Sequence, residues 1–190
     1  MPTNQQWWES LSPQWRQAFY MAVLQIDNEP SEEALSNLRS MVVLRLAGPG
    51  APHPNCSFEL TDLSGVTALN DLQVLIVSHH ALNGIAEVAS LPELKSLFVF
   101  NNRIESLQGI EQLHNLEQLY VQCNELRSIK EVEGLLQLKE LYVSDNKITS
   151  LAGLTEKHAD TLKKFVCLPN EFLKQKEIIY TERELGIICR

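Results

Sequence analysis

Four consecutive segments of 22 residues align without a gap, and this period constrains the fold more than any other feature of the chain. They cover residues 69–90, 91–112, 113–134 and 135–156. In each, apolar residues stand at positions 1, 4, 7, 9, 14, 17 and 20. Position 12 is Asn102, Asn124 and Asn146 in three of them and His80 in the first. A segment this short cannot bury its own apolar face, so neighbours must stack and join their faces into one continuous core.

Positions 7 and 9 alternate with 6, 8 and 10, the period of a strand with one buried face. Leu97 and Val99 are therefore expected inside, with Ser96, Phe98 and Phe100 pointing out. Positions 14, 17 and 20 have the three-residue spacing of a short helix or 3-10 turn on the opposite side. Gly65, Gly109 and Gly153 recur at position 19, where a tight turn leaves little room. The flanks extend the array. Leu38, Met41, Leu44 and Leu46 read as a first strand, with Phe58, Leu60, Leu63 and Val66 as its returning half. An insertion of nine residues separates them within 47–57. Leu162, Phe165, Cys167 and Asn170 fit a last repeat that starts two residues late, giving about six parallel strands.

Both open ends need covers. Ser12 and Pro13 read as the N-cap and first residue of a helix, and Trp8, Leu11, Trp15, Phe19 and Ala22 share a face. Residues 1–37 are thus expected to form a helical N-terminal cap, 38–172 the repeats, and 173–190 a C-terminal cap. In the last, 174–185 reads as a helix stopped by Gly186, with Ile187 and Ile188 closing the array as a strand.

Residues 38–172 resemble the 22-residue leucine-rich-repeat class found in phosphatase-1 regulatory subunits and bacterial internalins, on the pattern L-x-x-L-x-L-x-x-N-x-L. The resemblance implies an α/β solenoid with a curved parallel sheet on its concave face and short helices or 3-10 turns on its convex face. It also implies that the concave sheet binds another protein.

The residues point the same way. The net charge of -8 argues against nucleic acid and anionic membrane as partners. No run approaches 18 apolar residues, and the polar start lacks the marks of a signal peptide. Cys56, Cys123, Cys167 and Cys189 show no CxxC spacing and read as free thiols in a reducing cytoplasm. His79 and His80 are adjacent, so in an extended chain they diverge and make a poor metal pair. His80 instead takes the place of the ladder asparagine, and Asn102, Asn124, Asn146 and Asn170 read as structural. Cys123 at position 11 has no histidine beside it in register and reads as inert. No triad, nucleophile elbow, metal motif or Gly-rich nucleotide loop is found, so a non-catalytic monomer without cofactor is expected.

The position-8 column reads Arg45, Ile76, Phe98, Tyr120, Tyr142 and Val166. It faces out of the concave sheet, so the core does not account for its aromatics. The candidate binding set is Arg45, Ile76, Phe98, Phe100, Tyr120 and Tyr142, with Arg103 and Glu125 from the flanking position 13. Charges at positions 5 and 13 alternate in sign and are expected to pair across strands. The loop 47–57, rich in Pro and Gly, is either a neutral insertion or part of the site. An alternative to the general binding role is an inhibitor or immunity-type protein that blocks a basic enzyme or toxin.

Overall fold

A computed structural model describes residues 3–190; residues 1 and 2 of the expected cap lie outside them. Six parallel strands form one sheet in sequence order. They are β1 (Val43–Ala47), β2 (Val74–Ser78), β3 (Ser96–Phe98), β4 (Gln118–Tyr120), β5 (Glu140–Tyr142) and β6 (Lys164–Val166). The pairing follows the repeat: Arg45 meets Ile76, Ile76 meets Phe98, Phe98 meets Tyr120, Tyr120 meets Tyr142, and Tyr142 meets Val166. Short 3-10 turns at Ser64–Val66, Ala86–Ser90, Ile110–Gln112 and Lys130–Val132 line the opposite side.

The register agrees with the expectation. Leu75, Val77, Leu97, Val99, Leu119, Val121, Leu141 and Val143 are fully buried, and so are the apolar convex positions of the central repeats. At position 19, Gly109 and Gly153 adopt positive φ. Gly65 is needed for a different reason: a Cβ there would lie 2.1 Å from the Trp15 ring.

The asparagines form the expected ladder. Asn124 Oδ1 accepts from the Ile104 N–H, while its amide group donates to the Val99, Val121 and Gln122 carbonyls. Asn146 repeats this one turn on. His80 does stand in for the amide, since its Nδ1 accepts from the Leu60 N–H at 3.0 Å. Every rung satisfies a backbone group that would otherwise be buried unpaired.

The N-terminal cap is three helices: α1 (Asn4–Ser10), α2 (Pro13–Phe19) and α3 (Glu32–Arg39). Leu11 and Ser12 are extended, as the residue before a proline prefers. Ser12 holds the N-cap position, but its hydroxyl makes no capping bond. Past Phe19 the chain widens into a π turn over Tyr20–Leu24. Leu38 lies on α3 and not in a strand. Trp7, Trp8, Trp15 and Phe19 are buried and form an aromatic cluster. Trp15 seats over Gly65, and its indole N–H donates to Asp62. Burial would raise the Asp62 carboxyl, but hydrogen bonds from Ser64, Trp15 and Gln14 outweigh it and hold the group below the usual carboxylate range.

At the other end α4 (Glu156–Ala159) precedes β6, and α5 (Gln175–Arg183) covers the last repeat. Gly186 is left-handed, as a helix stop requires. Ile187 is buried but Ile188 is 64% exposed, so only the first isoleucine closes the core. The terminal residues form no full strand; the Cys167 and Leu168 N–H groups pair with the Arg190 carbonyl beside β6. No helix among the described residues is long and apolar enough to cross a membrane.

Candidate partner-binding face

A parallel sheet sets side chains of one position in columns about 4.8 Å apart. Position 8 becomes such a column on the concave face, with Ile76, Phe98, Tyr120 and Tyr142 all half-buried above a core already filled by positions 7 and 9. Phe98 and Tyr120 have ring centroids 4.8 Å apart, and Tyr120 and Tyr142 are 4.1 Å apart. The register thus converts a sequence column into a continuous aromatic stack. Phe100 stands beside it at position 10, edge-on to the His79 ring at 5.5 Å.

The stack is held by polar neighbours from position 6, a column that was not singled out from the sequence. The Tyr120 hydroxyl donates to the Glu140 carboxylate. Burial, reinforced by that carboxylate, pushes the Tyr120 phenol up, so it remains a donor across the physiological range. The Lys164 ammonium lies over the Tyr142 ring, 5.1 Å from its centroid. Ser96 donates to Gln118 at 2.7 Å, which covers Ser96 although its side chain points out of the core. Toward β1 the same column turns apolar, with Val74 half-buried and Val43 exposed beside Ile76. The signal was present in the sequence, because positions 6 and 8 of a strand share a face.

The structure does not bring all eight candidates together. Ile76, Phe98, Phe100, Tyr120 and Tyr142 share the concave surface. Arg45 sits in the same column but turns to the inserted loop, donating to the His53 carbonyl at 2.6 Å. Arg103 and Glu125 lie on the flank, and Glu125 is paired with Lys147 at 2.7 Å. Lys139 and Glu117 pair likewise at 2.7 Å, so the alternating charges do meet across strands. Glu125 is held low in pKa first by its hydrogen bond to Lys147.

The loop 47–57 closes the open edge of β1. The Asn55 side chain accepts from the Ala47 N–H and donates to the Arg45 carbonyl, using edge groups that would otherwise invite another strand. Gly48 lets the loop cross the neighbouring turn, where a Cβ would lie 1.7 Å from the His79 carbonyl oxygen. His79, Asn101, Cys123 and Asp145 at position 11 are all left-handed, with φ between 54° and 59°. Asn, Asp and His are enriched in that conformation, whereas Cys is not. Burial and then Asp145 push the Cys123 thiol up, against reactivity. Among the described residues no cluster of three or more His, Cys, Asp or Glu is placed to hold a metal ion.

A model of tandem leucine-rich repeats in two copies matches residues 92–136. No curated protein matches the chain by sequence. Among solved structures, an internalin (InlF) of Listeria monocytogenes superposes with a TM-score of 0.62 at 22% identity, over 76% of this chain and 39% of its own. A leucine-rich-repeat protein of Leptospira interrogans gives 0.59 at 22% identity, over 79% of this chain and 42% of its own. The leucine-rich-repeat ectodomain of the receptor kinase SOBIR1 from Arabidopsis thaliana gives 0.55 at 20% identity, over 67% of this chain and 69% of its own. This chain therefore spans about two fifths of the two bacterial proteins, and likeness at these identities establishes a common fold.

Proposed function

Since the chain is a leucine-rich-repeat solenoid, a fold generally used for protein–protein interaction, we propose that it is a non-catalytic binding module whose partner docks on the concave sheet. The observation that carries this reading is the stack of Phe98, Tyr120 and Tyr142. It is aromatic, held in place, half-exposed, and not required to fill the core. A preorganised aromatic surface loses little side-chain entropy on binding, so a few such groups dominate an interface. An array of this size fits a standard interface of roughly 800 Å² per partner.

The charge layout bears on the partner. The acidic surplus falls on the cap and the convex turns, as with Glu32, Glu33, Glu87, Glu131 and Glu133. The concave columns carry Lys95, Lys139, Lys163 and Lys164 alongside Glu117 and Glu140. This balance favours a mixed apolar and polar partner surface over a strongly basic one, and gives the toxin-inhibitor alternative little support on this face.

The test is a comparative capture experiment. Immobilised wild type, Phe98→Ala with Tyr142→Ala, and Glu133→Ala are each exposed to the same source extract. Retention of one species by wild type and Glu133→Ala, lost with the double variant, supports the reading. Retention by all three overturns it. Glu111 is an unsuitable control, because its carboxylate accepts the Gly109 N–H. Binding that collapses with salt and survives the double variant would instead favour the basic-partner alternative.

A further inference from the structure

Two of the four cysteines, distant in sequence, lie at the same end of the sheet. Cys167 lies on the last strand column at position 9, in the core and inaccessible. Cys189 lies in the terminal segment, half-buried against the same core. Between them the chain leaves β6, forms α5, and returns at Gly186. The Cys167 and Leu168 N–H groups both donate to the Arg190 carbonyl, at 2.7 and 2.9 Å, which fixes the returning segment beside β6. Cys189 is the residue next to Arg190, so it lies close to Cys167, and both cysteines pack against the same core. The largest influence on each thiol is its hydrogen bond with the other, which pushes Cys167 up and Cys189 down.

We propose that Cys167 and Cys189 are a disulfide-forming pair that staples the C-terminal cap to the last repeat when the chain meets a small-molecule disulfide oxidant of the glutathione type. Cys189 is the attacking group: it is the more accessible of the two, and the hydrogen bond from Cys167 holds its thiol below the ordinary cysteine value. Its thiolate attacks one sulfur of the oxidant, forming a mixed disulfide and releasing one small thiol. Cys167 then gives up its proton and attacks the Cys189 sulfur, which releases the second small thiol. Two protein thiols are oxidised to one disulfide, and one small disulfide is reduced to two thiols. In a reducing compartment the pair stays open, and the cap is held by packing and hydrogen bonds alone. The closed form cross-links about 23 residues that include all of α5, so it ties down the cap that seals the open end of the core.

The reduced 190-residue chain is incubated with oxidised glutathione, its remaining thiols are blocked, and it is digested with trypsin. The expected product joins the peptides 165–174 and 184–190, disappears with a reductant, forms normally in Cys123→Ser, and is absent in Cys189→Ser. The thermal midpoint of the wild type is expected to rise by about 5–10 °C on oxidation, and that of Cys189→Ser to stay put. Cys167→Ala is a second knock-out read by the same peptide map, which reports the cross-link whatever happens to stability. The proposal is overturned if Cys189 ends as a mixed disulfide with glutathione, links two copies of the chain, pairs with Cys56 or Cys123, or does not react.

Discussion

His80 occupies a ladder position that asparagine fills elsewhere, and this substitution should give the fold a pH dependence the other rungs lack. Its Nδ1 must stay unprotonated to accept the Leu60 N–H, and the ring is only 4% exposed. Burial, the largest cause, lowers its pKa from 6.5 to about 4, with the neighbouring His79 adding to the effect. A lowered histidine pKa means that the unfolded chain binds the proton more readily. The contribution of His80 is therefore complete above pH 6.5 and is lost as pH falls toward 4. Between pH 7.5 and pH 5 the shift corresponds to about 1–2 kcal/mol. His80→Asn restores the common rung, because asparagine at this position bonds the same N–H twenty residues earlier in the other repeats. Thermal unfolding of wild type and His80→Asn at the two pH values isolates this group from all others that titrate. The wild type should lose about 3–6 °C more than the variant on acidification. Equal losses in both proteins would refute the assignment of His80 as a neutral rung.

Other substitutions test the cap and the strained turns. Gly65→Ala places a methyl on the Trp15 ring and should cost about 1–3 kcal/mol in urea unfolding, with altered tryptophan fluorescence; a variant as stable as wild type would remove Trp15 from that seat. Cys123→Asn puts a residue suited to φ 56° in place of one that is not, and should raise the thermal midpoint by about 1–4 °C; no gain would mean that the left-handed turn carries no strain. Phe98→Ala should leave the fold intact and cost about 1 kcal/mol of stability from lost cross-strand stacking, measured by denaturant titration; a cost above about 3 kcal/mol would place Phe98 in the core instead.

The register was legible because a 22-residue period repeats without a gap and fixes inside from outside at every strand. The aromatic stack followed directly, since equal positions on parallel strands become neighbours in space. What failed to show depends on chain ends and long-range closure. Ile188 is 64% exposed and Phe172, which falls on the apolar position 14 of the last repeat, is 52% exposed, because neither is covered by the described residues. Arg45 looked like a member of the binding column, but its partner is a carbonyl in a loop whose path the repeat does not specify. The start of α2 was legible in Ser12 and Pro13, whose ring disfavours a helical residue before it. The terminal segment reaches Cys167 only because α5 doubles the chain back, which spacing alone does not reveal.

The affinity of a recovered partner for single concave variants tests the central claim most directly. By titration calorimetry at fixed salt, Phe98→Ala and Tyr142→Ala should each weaken binding at least about thirtyfold, or about 2 kcal/mol, while Glu133→Ala and changes confined to Pro52 or Pro54 of the loop leave it unchanged. Wild-type affinity in both aromatic variants, with binding abolished by the loop or convex changes, would contradict the account and leave the stack as a structural ladder only.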